Sequence, residues 1–223
     1  LEFSVNVDQT INQTGAISGT GSVGTLADGT VIFDGPGPNT FSGGFELGDG
    51  QTSNFDGVDQ GNKNGFVVVN RGDHLGTGTI HSRGSQLRAG TSGVVIPNNI
   101  DVDGGGFRSG GTVPFGYSGT LAPINNALRG FGNYGLEGCD LTVSGTISMT
   151  LATHQVQFEG SNGKDNGNWN ITGNITGLSN VSVNNSFDEG VVTFAGTNDY
   201  TGTTIIANGA TAVLNGSHTG GGN

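Results

Sequence analysis

Short runs of strand-forming residues alternate with glycine along this chain, and one such cassette recurs. Its clearest copy runs Phe194-Ala195-Gly196-Thr197-Asn198-Asp199-Tyr200-Thr201-Gly202-Thr203-Thr204-Ile205-Ile206, followed by Asn208-Gly209 and then Asn215-Gly216. A looser copy, Phe33-Asp34-Gly35 through Phe41-Ser42-Gly43-Gly44, has a longer interval between its aromatics, and Phe115-Gly116-Tyr117-Ser118-Gly119-Thr120 keeps only half of the cassette. A repeat of this kind marks a chain whose units bury their apolar faces by stacking on one another.

Glycine, 45 of 223 residues, rules out helix almost everywhere, because each glycine costs a helix about 1 kcal/mol. Only Ile124 to Arg129 could form a helical turn. The longest glycine-free run, Thr146 to Glu159, has the β-branched and aromatic content of a strand pair. The other strand candidates are short: Thr30–Phe33, Gly65–Asn70, Gly93–Pro97, Ile100–Asp103, Leu141–Thr146, Val191–Phe194 and Thr203–Ile206. The fold class is therefore all-β. Two architectures suit that spacing: a Gly/Asn-rich parallel β-helix, or an antiparallel β-sandwich or jelly roll with an N-terminal joining strand. Recurrence of one corner favours the parallel solenoid, since a sandwich has no need of the same corner twice. Rungs of roughly 20 to 25 residues give about ten rungs, and a ~4.8 Å strand spacing makes a rod ~45 to 50 Å long. The 24 asparagines are suited to laddering along the inside of the turns.

The chain divides into an N-terminal strand, residues 1–10, and a single repeat-containing β domain, residues 11–223. In the first segment Leu1, Phe3, Val5 and Val7 alternate with polar residues, the pattern of a strand with one buried face. Such a strand either completes its own sheet or joins the edge of a neighbouring subunit.

Composition limits the partners. Seven Lys and Arg against 18 Asp and Glu give a net charge of -11, and an acidic surface repels nucleic acid and anionic lipid alike. Arg71, Arg83 and Arg88 read as separate solvated cations. Cys139, the single cysteine, cannot close an intrachain disulfide. No run approaches the ~20 apolar residues of a membrane helix. A start at Leu1 rather than methionine fits a mature secreted chain, and fits an artificial boundary equally well.

The segment Phe194 to Gly216 resembles the passenger-associated repeat of bacterial autotransporter-type surface proteins: an aromatic-x-Gly, Asn-x-Tyr-Thr-Gly-Thr-Thr, a strand and Asn-Gly. The stretch Gly76-Thr77-Gly78-Thr79-Ile80 through Ile100 is similar to the spacing between such repeats. The resemblance implies a secreted, right-handed β-helical passenger exposed outside the cell as adhesin, surface layer or fibre. It brings no catalytic residues. No membrane-barrel segment accompanies it here.

Candidate chemistry is sparse. His74, His81, His154 and His218 have no metal-ligand spacing. Asp101 and Asp103 share a strand face, as a glycosidase pair could, but the glycines that follow favour a turn. Asp49, Asp56 and Asp59 stand among Asn54, Asn62 and Asn64 in an oxygen-rich loop able to hold calcium, the one cofactor considered. Sequons occur at Asn12, Asn170, Asn174, Asn180, Asn184 and Asn215, and four of them cluster beside Trp169 as candidate glycosylation sites. These observations lead to an expectation: a secreted structural protein, not an enzyme, that pairs with copies of itself through Leu1 to Val7 to build a fibre, pilus-like filament or surface layer. The alternatives are an adhesin that contacts extracellular glycans through Tyr117, Tyr134 and Trp169, and a β-helical polysaccharide-degrading enzyme.

Overall fold

The computed structural model describes the whole chain except residues 7, 28, 49–64, 84, 103–106, 112, 125–127, 136–139, 151–154, 160–166, 185–190 and 220–223. The described residues form a parallel β-solenoid without helix. Each turn of the chain passes through up to three walls. Wall A has ten strands, from Glu2–Val5 to Ser217–His218; wall B has nine, from Thr10–Gln13 to Thr204–Ala207; wall C has six, from Val95–Ile96 to Thr211–Leu214. Every strand pairing is parallel, for example Ile100 with Ile80 on one side and Leu121 on the other, which excludes the antiparallel sandwich. Two strands expected from Thr146 to Glu159 do form, Ile147–Met149 and Gln155–Glu159, but in different walls and not with each other. The helical turn expected near Ile124 to Arg129 gives way to strand Leu128–Gly135, while residues 125–127 lie outside the described residues.

Alternation of side chains across a strand sets the core. In Phe45-Glu46-Leu47, Ile100-Asp101-Val102, Leu141-Thr142-Val143 and Ile147-Ser148-Met149 the outer two residues point inward and are buried, and the middle one faces out. Because register is kept from rung to rung, inward residues stack into columns, as with Phe45, Ile80, Ile100, Leu121, Ile147 and Ile175 along wall A. Each fully buried aliphatic side chain contributes about 1.5–3 kcal/mol. Aromatic rings interlock edge to face along the axis: Phe3 on Phe33 at 5.7 Å, Phe107 on Tyr117 at 5.1 Å, Phe158 on Trp169 at 5.5 Å and on Phe194 at 5.6 Å. Tyr117 is wholly buried because its hydroxyl meets Ser109 Oγ at 2.6 Å, so no polar atom is stranded.

The corner from wall C to wall A explains the glycines. Two residues ahead of the inward wall A residues Leu121, Ile147, Ile175, Asn198 and His218 stand Gly119, Gly145, Gly173, Gly196 and Gly216, a column that rests on Asn98, which holds the same place ahead of Ile100. A Cβ at any of these glycines would lie 1.9–2.0 Å from a carbonyl oxygen of the residue below it, Asn98, Gly119, Gly145, Gly173 and Gly196 respectively. At three of these corners two consecutive amides converge on one carbonyl: Ser144 and Gly145 N–H both donate to Tyr117 O, at 2.8 and 3.4 Å, Thr172 and Gly173 N–H to Val143 O, at 2.9 and 3.0 Å, and Asn215 and Gly216 N–H to Phe194 O, at 2.9 and 3.0 Å; at Gly119 and Gly196 the preceding amide, of Ser118 or Ala195, donates to Ile96 O or Ile171 O. The Ser144 and Thr172 hydroxyls reach the same Tyr117 and Val143 oxygens.

The three cassette copies are not equivalent in space. Phe33 lies in wall B and Phe194 in wall C. Gly119 and Gly43 belong to the corner of Gly196, whereas Gly202 turns from wall A to wall B against the Ser179 carbonyl, 2.1 Å from where its Cβ would be. The true repeating unit is the rung, whose equivalent residues lie from 20 to 28 positions apart and stretch to 36 between Asp34 and Asn70.

Before Val95 the third wall has no strands among the described residues, and side chains add to a few cross-rung backbone bonds, such as Asn39 N–H to Asp73 O at 3.1 Å and Thr40 N–H to Ile17 O at 2.8 Å. Buried Asn39 accepts from Ile17 N–H at 2.8 Å and donates to His74 O at 2.6 Å; His74 Nε2 meets Gly35 O at 3.0 Å. Asn70 donates to Asp34 at 2.7 Å. The Arg71 guanidinium, hydrogen-bonded to Asp73, holds that carboxyl below its ordinary range. This contribution is present above about pH 4 and is lost as pH falls through the lowered pKa. It is small, since the two side chains are 45% and 42% exposed.

If crowding at the corner is what requires glycine, Gly145→Ala lowers the unfolding free energy by roughly 2–3 kcal/mol. Gly21 heads the same column with nothing within 4 Å of its Cβ position, so Gly21→Ala changes stability by less than ~0.5 kcal/mol. Urea denaturation followed by circular dichroism measures both, and equal losses would contradict the account.

Candidate functional site

The strand at residues 2–5 is the first strand of wall A. It pairs in parallel with Val23–Ala27, from Glu2 opposite Gly24 to Val5 opposite Ala27. Val5 is buried, Phe3 is half-buried against Phe33, and Leu1 is 67% exposed; Val7 lies outside the described residues. The strand therefore spends one edge on its own sheet and keeps the other unpaired among the described residues. It is not an arm extended away from the body.

At the opposite end the last strands of the three walls are Thr204–Ala207, Thr211–Leu214 and Ser217–His218. Ile206 stacks on Val183 and Leu214 on Phe194, both in inward columns, and they are 51% and 54% exposed. Wall A closes differently. Its column of aliphatic residues passes from Ile175 to Asn198 and then His218. Asn198 is fully buried; its Oδ1 accepts from Ile175 N–H at 3.0 Å, and its amide lies 3.4 Å from Gly196 O and 3.4 Å from His218 Nδ1. The remaining cassette residues serve this same scaffold: Phe194 and Tyr200 are core, with the Tyr200 hydroxyl bonded to Thr204 Oγ1, and Phe33 and Phe41 are core at the other end. Gly35 turns against Thr14 O, 3.1 Å from where its Cβ would be.

Register also assembles a group that sequence spacing conceals. Glu46, His81 and Asp101 face outward at paired positions on three successive rungs of wall A. His81 Nδ1 lies 3.5 Å from Asp101 Oδ2, and Arg83 Nε 3.5 Å from Glu46 Oε2, all four side chains being 31–42% exposed. The imidazole thus stands between carboxylates one rung away on either side, and Asp101 takes His81 as its neighbour; Asp103 is outside the described residues. Among the described residues no three His, Cys, Asp or Glu are placed to hold a metal ion.

Several expected contacts change. Tyr117 and Trp169 are buried, at 0% and 2% exposure, so they are core residues and not a glycan-stacking surface; nothing of the Tyr134 side chain is described. Arg71 pairs with Asp73, Arg83 with Glu46, and Arg88 lies 3.5 Å over the Phe66 ring. Asp49, Asp56 and Asp59, the calcium loop, lie outside the described residues. Of the sequons, Asn12, Asn174 and Asn215 are exposed, Asn170 and Asn180 are half-buried, and the Asn184 side chain is not described. Asn174 and Asn180 already accept backbone N–H groups from Thr197 and Thr203 of the next rung, at 3.0 and 2.8 Å. Asparagine ladders the corners here, as its abundance suggested.

Asn198→Ala strands the buried Ile175 N–H and lowers stability by about 1–3 kcal/mol in chemical denaturation; a smaller loss than for a surface alanine control is the outcome that contradicts its bridging role. Comparison with protein-family models, with curated proteins and with solved structures finds no match for this chain, so the likeness of Phe194 to Gly216 to passenger-associated repeats stands on its residues alone.

Proposed function

We propose that this chain is a structural protein of the cell exterior that assembles with copies of itself into a fibre or surface layer, by adding rung to rung. The observation that carries the reading is the last described rung: Ile206 and Leu214 continue core columns yet are half exposed, in strands that pair in parallel with the rung below. An apolar face bordered by free strand edges is a template for another strand layer. Covering the exposed half of the two side chains is worth about 1 kcal/mol each, and parallel strand pairing would give direction to that gain. Low charge density, 11% of residues, keeps repulsion between stacked copies modest despite the net charge. Strand Glu2–Val5 takes part through the edge left unpaired among the described residues while remaining in its own sheet. The extracellular setting follows from the resemblance of the Phe194 cassette.

Negative-stain microscopy and sedimentation of the purified chain test this. Filaments or sheets are expected, and Leu214→Glu, which puts a charge into the proposed contact, raises the concentration needed for assembly by about 10- to 100-fold. Monodisperse short rods at high concentration, or assembly indifferent to Leu214→Glu in a folded variant, would overturn the proposal.

A further inference from the structure

We infer that Asn208 is a site of spontaneous covalent modification, an asparagine that the corner between walls B and C presents for conversion to aspartate and isoaspartate, and that Asn215 is shielded from the same reaction. An asparagine followed by glycine is open to this chemistry because no side chain on the next residue keeps its backbone nitrogen from the asparagine carboxamide. Asn-Gly occurs five times in the chain. The asparagines at 64, 162 and 166 lie outside the described residues, which leaves Asn208-Gly209 and Asn215-Gly216 to compare.

The fold treats these two steps oppositely. Asn208 and Gly209 are the central residues of the turn joining Thr204–Ala207 to Thr211–Leu214. Their φ angles are 54° and 75°, and the Ala210 N–H donates to Ala207 O at 3.1 Å, the positive-φ pair and closing bond of a type I′ turn. Both residues are exposed, nothing lies within 4 Å of a Cβ built on Gly209, and the Gly209 N–H has no acceptor among the described residues. One turn bond therefore opposes a swing of the Gly209 peptide, and for Asn208 leaving positive φ relieves strain. Gly216 belongs instead to the glycine column. Its N–H donates to Phe194 O at 3.0 Å, and a Cβ on it would stand 1.9 Å from Gly196 O. Its nitrogen reaches the Asn215 carboxamide only by giving up that bond where there is no room to rotate.

The reaction needs only water. The Gly209 nitrogen loses its proton and bonds to Cγ of Asn208, the Cγ–Nδ2 bond breaks, and ammonia leaves with a proton, closing a five-membered succinimide. Water then opens the ring at either carbonyl carbon, giving aspartate, or isoaspartate in which the main chain runs through the former side chain. Each conversion takes up one water and releases one ammonia, with no change of oxidation state. The product carries a new negative charge, and its isoaspartate form one more main-chain atom, in the turn between the strands that bear Ile206 and Leu214. Resting on the assembly reading for this consequence alone, conversion weakens the contact as the protein ages.

Peptide mapping by mass spectrometry, on the purified chain held for days in neutral buffer, tests the site. The amide-to-acid mass change is expected at Asn208 at least roughly tenfold faster than at Asn215, the factor that breaking the Gly216 hydrogen bond imposes. In concentrated urea, where the corner is lost, the two rates are expected to converge. Equal rates in the folded chain, or a tenfold difference that survives in urea, would overturn the inference. So would an Asn208 still intact in the folded chain when the denatured chain has reacted fully. Asn208→Asp installs the charge at once and is expected to raise the concentration needed for assembly by about two- to fivefold. Filaments that form as readily with Asn208→Asp overturn the effect on assembly while the modification stands. An unaltered chain that forms no filaments removes the assembly reading, and the mass change at Asn208 still decides the site.

Discussion

The close approach of successive rungs at the corner between walls C and A is the constraint on which the remaining structure depends. At Gly145, Gly173 and Gly216 two amides, and at Ser144 and Thr172 a hydroxyl as well, crowd one carbonyl of the rung below. The following residue is drawn so near its counterpart that a methyl group has no room. Once that corner is set, the first inward residue of wall A is placed, and with it the alternation that carries aliphatic and aromatic side chains into continuous columns. Glycine here answers a problem of space. At Gly145, Gly173, Gly196 and Gly216 the limit is the oxygen beneath; positive φ in open space accounts for others, such as Gly93 and Gly209, and at Gly177 both apply.

This distinction explains what could be read from the chain and what could not. Glycine, asparagine and short β-branched runs point to stacked rungs because each demands a local conformation whatever its partners. The phase of the repeat is harder to see. Tyr117-Ser118-Gly119-Thr120 and Tyr200-Thr201-Gly202-Thr203 look alike, yet they turn different corners, since any corner that brings a carbonyl under the chain asks for glycine. The Glu46, His81 and Asp101 group was illegible for another reason. Their proximity depends on how many residues each rung takes, and one of the two intervening rungs carries the long insertion. Aromatic residues misled in a third way: the alternative of a glycan-binding adhesin put Tyr117 and Trp169 on an outer surface, but a narrow solenoid has few other ways to fill its interior than with large rings.

Polar side chains do the work of strands wherever strands are missing. In the N-terminal rungs Asn39 links Ile17 below to His74 above, so in a stretch without wall C strands among the described residues the Ile17 amide and the His74 carbonyl still have partners. At the far end Asn198 takes the place of an aliphatic residue and bonds the amide of Ile175. A carboxamide can do this because it offers donor and acceptor on one short arm. The asparagine content of the chain is thus a structural quantity.

The interval from wall C to wall A never varies across the rungs with strands on both sides: Ile96 to Ile100, Tyr117 to Leu121, Val143 to Ile147, Ile171 to Ile175 and Phe194 to Asn198 stand in the same relation. All the variation in rung length enters at the other two corners. The molecule therefore has one edge that behaves as a hinge pin, cut to a constant length, and two along which loops of any size can be hung. Diversification of such a chain would be confined to those two edges, and a foreign peptide grafted there would extend outward while the rungs above and below kept their places.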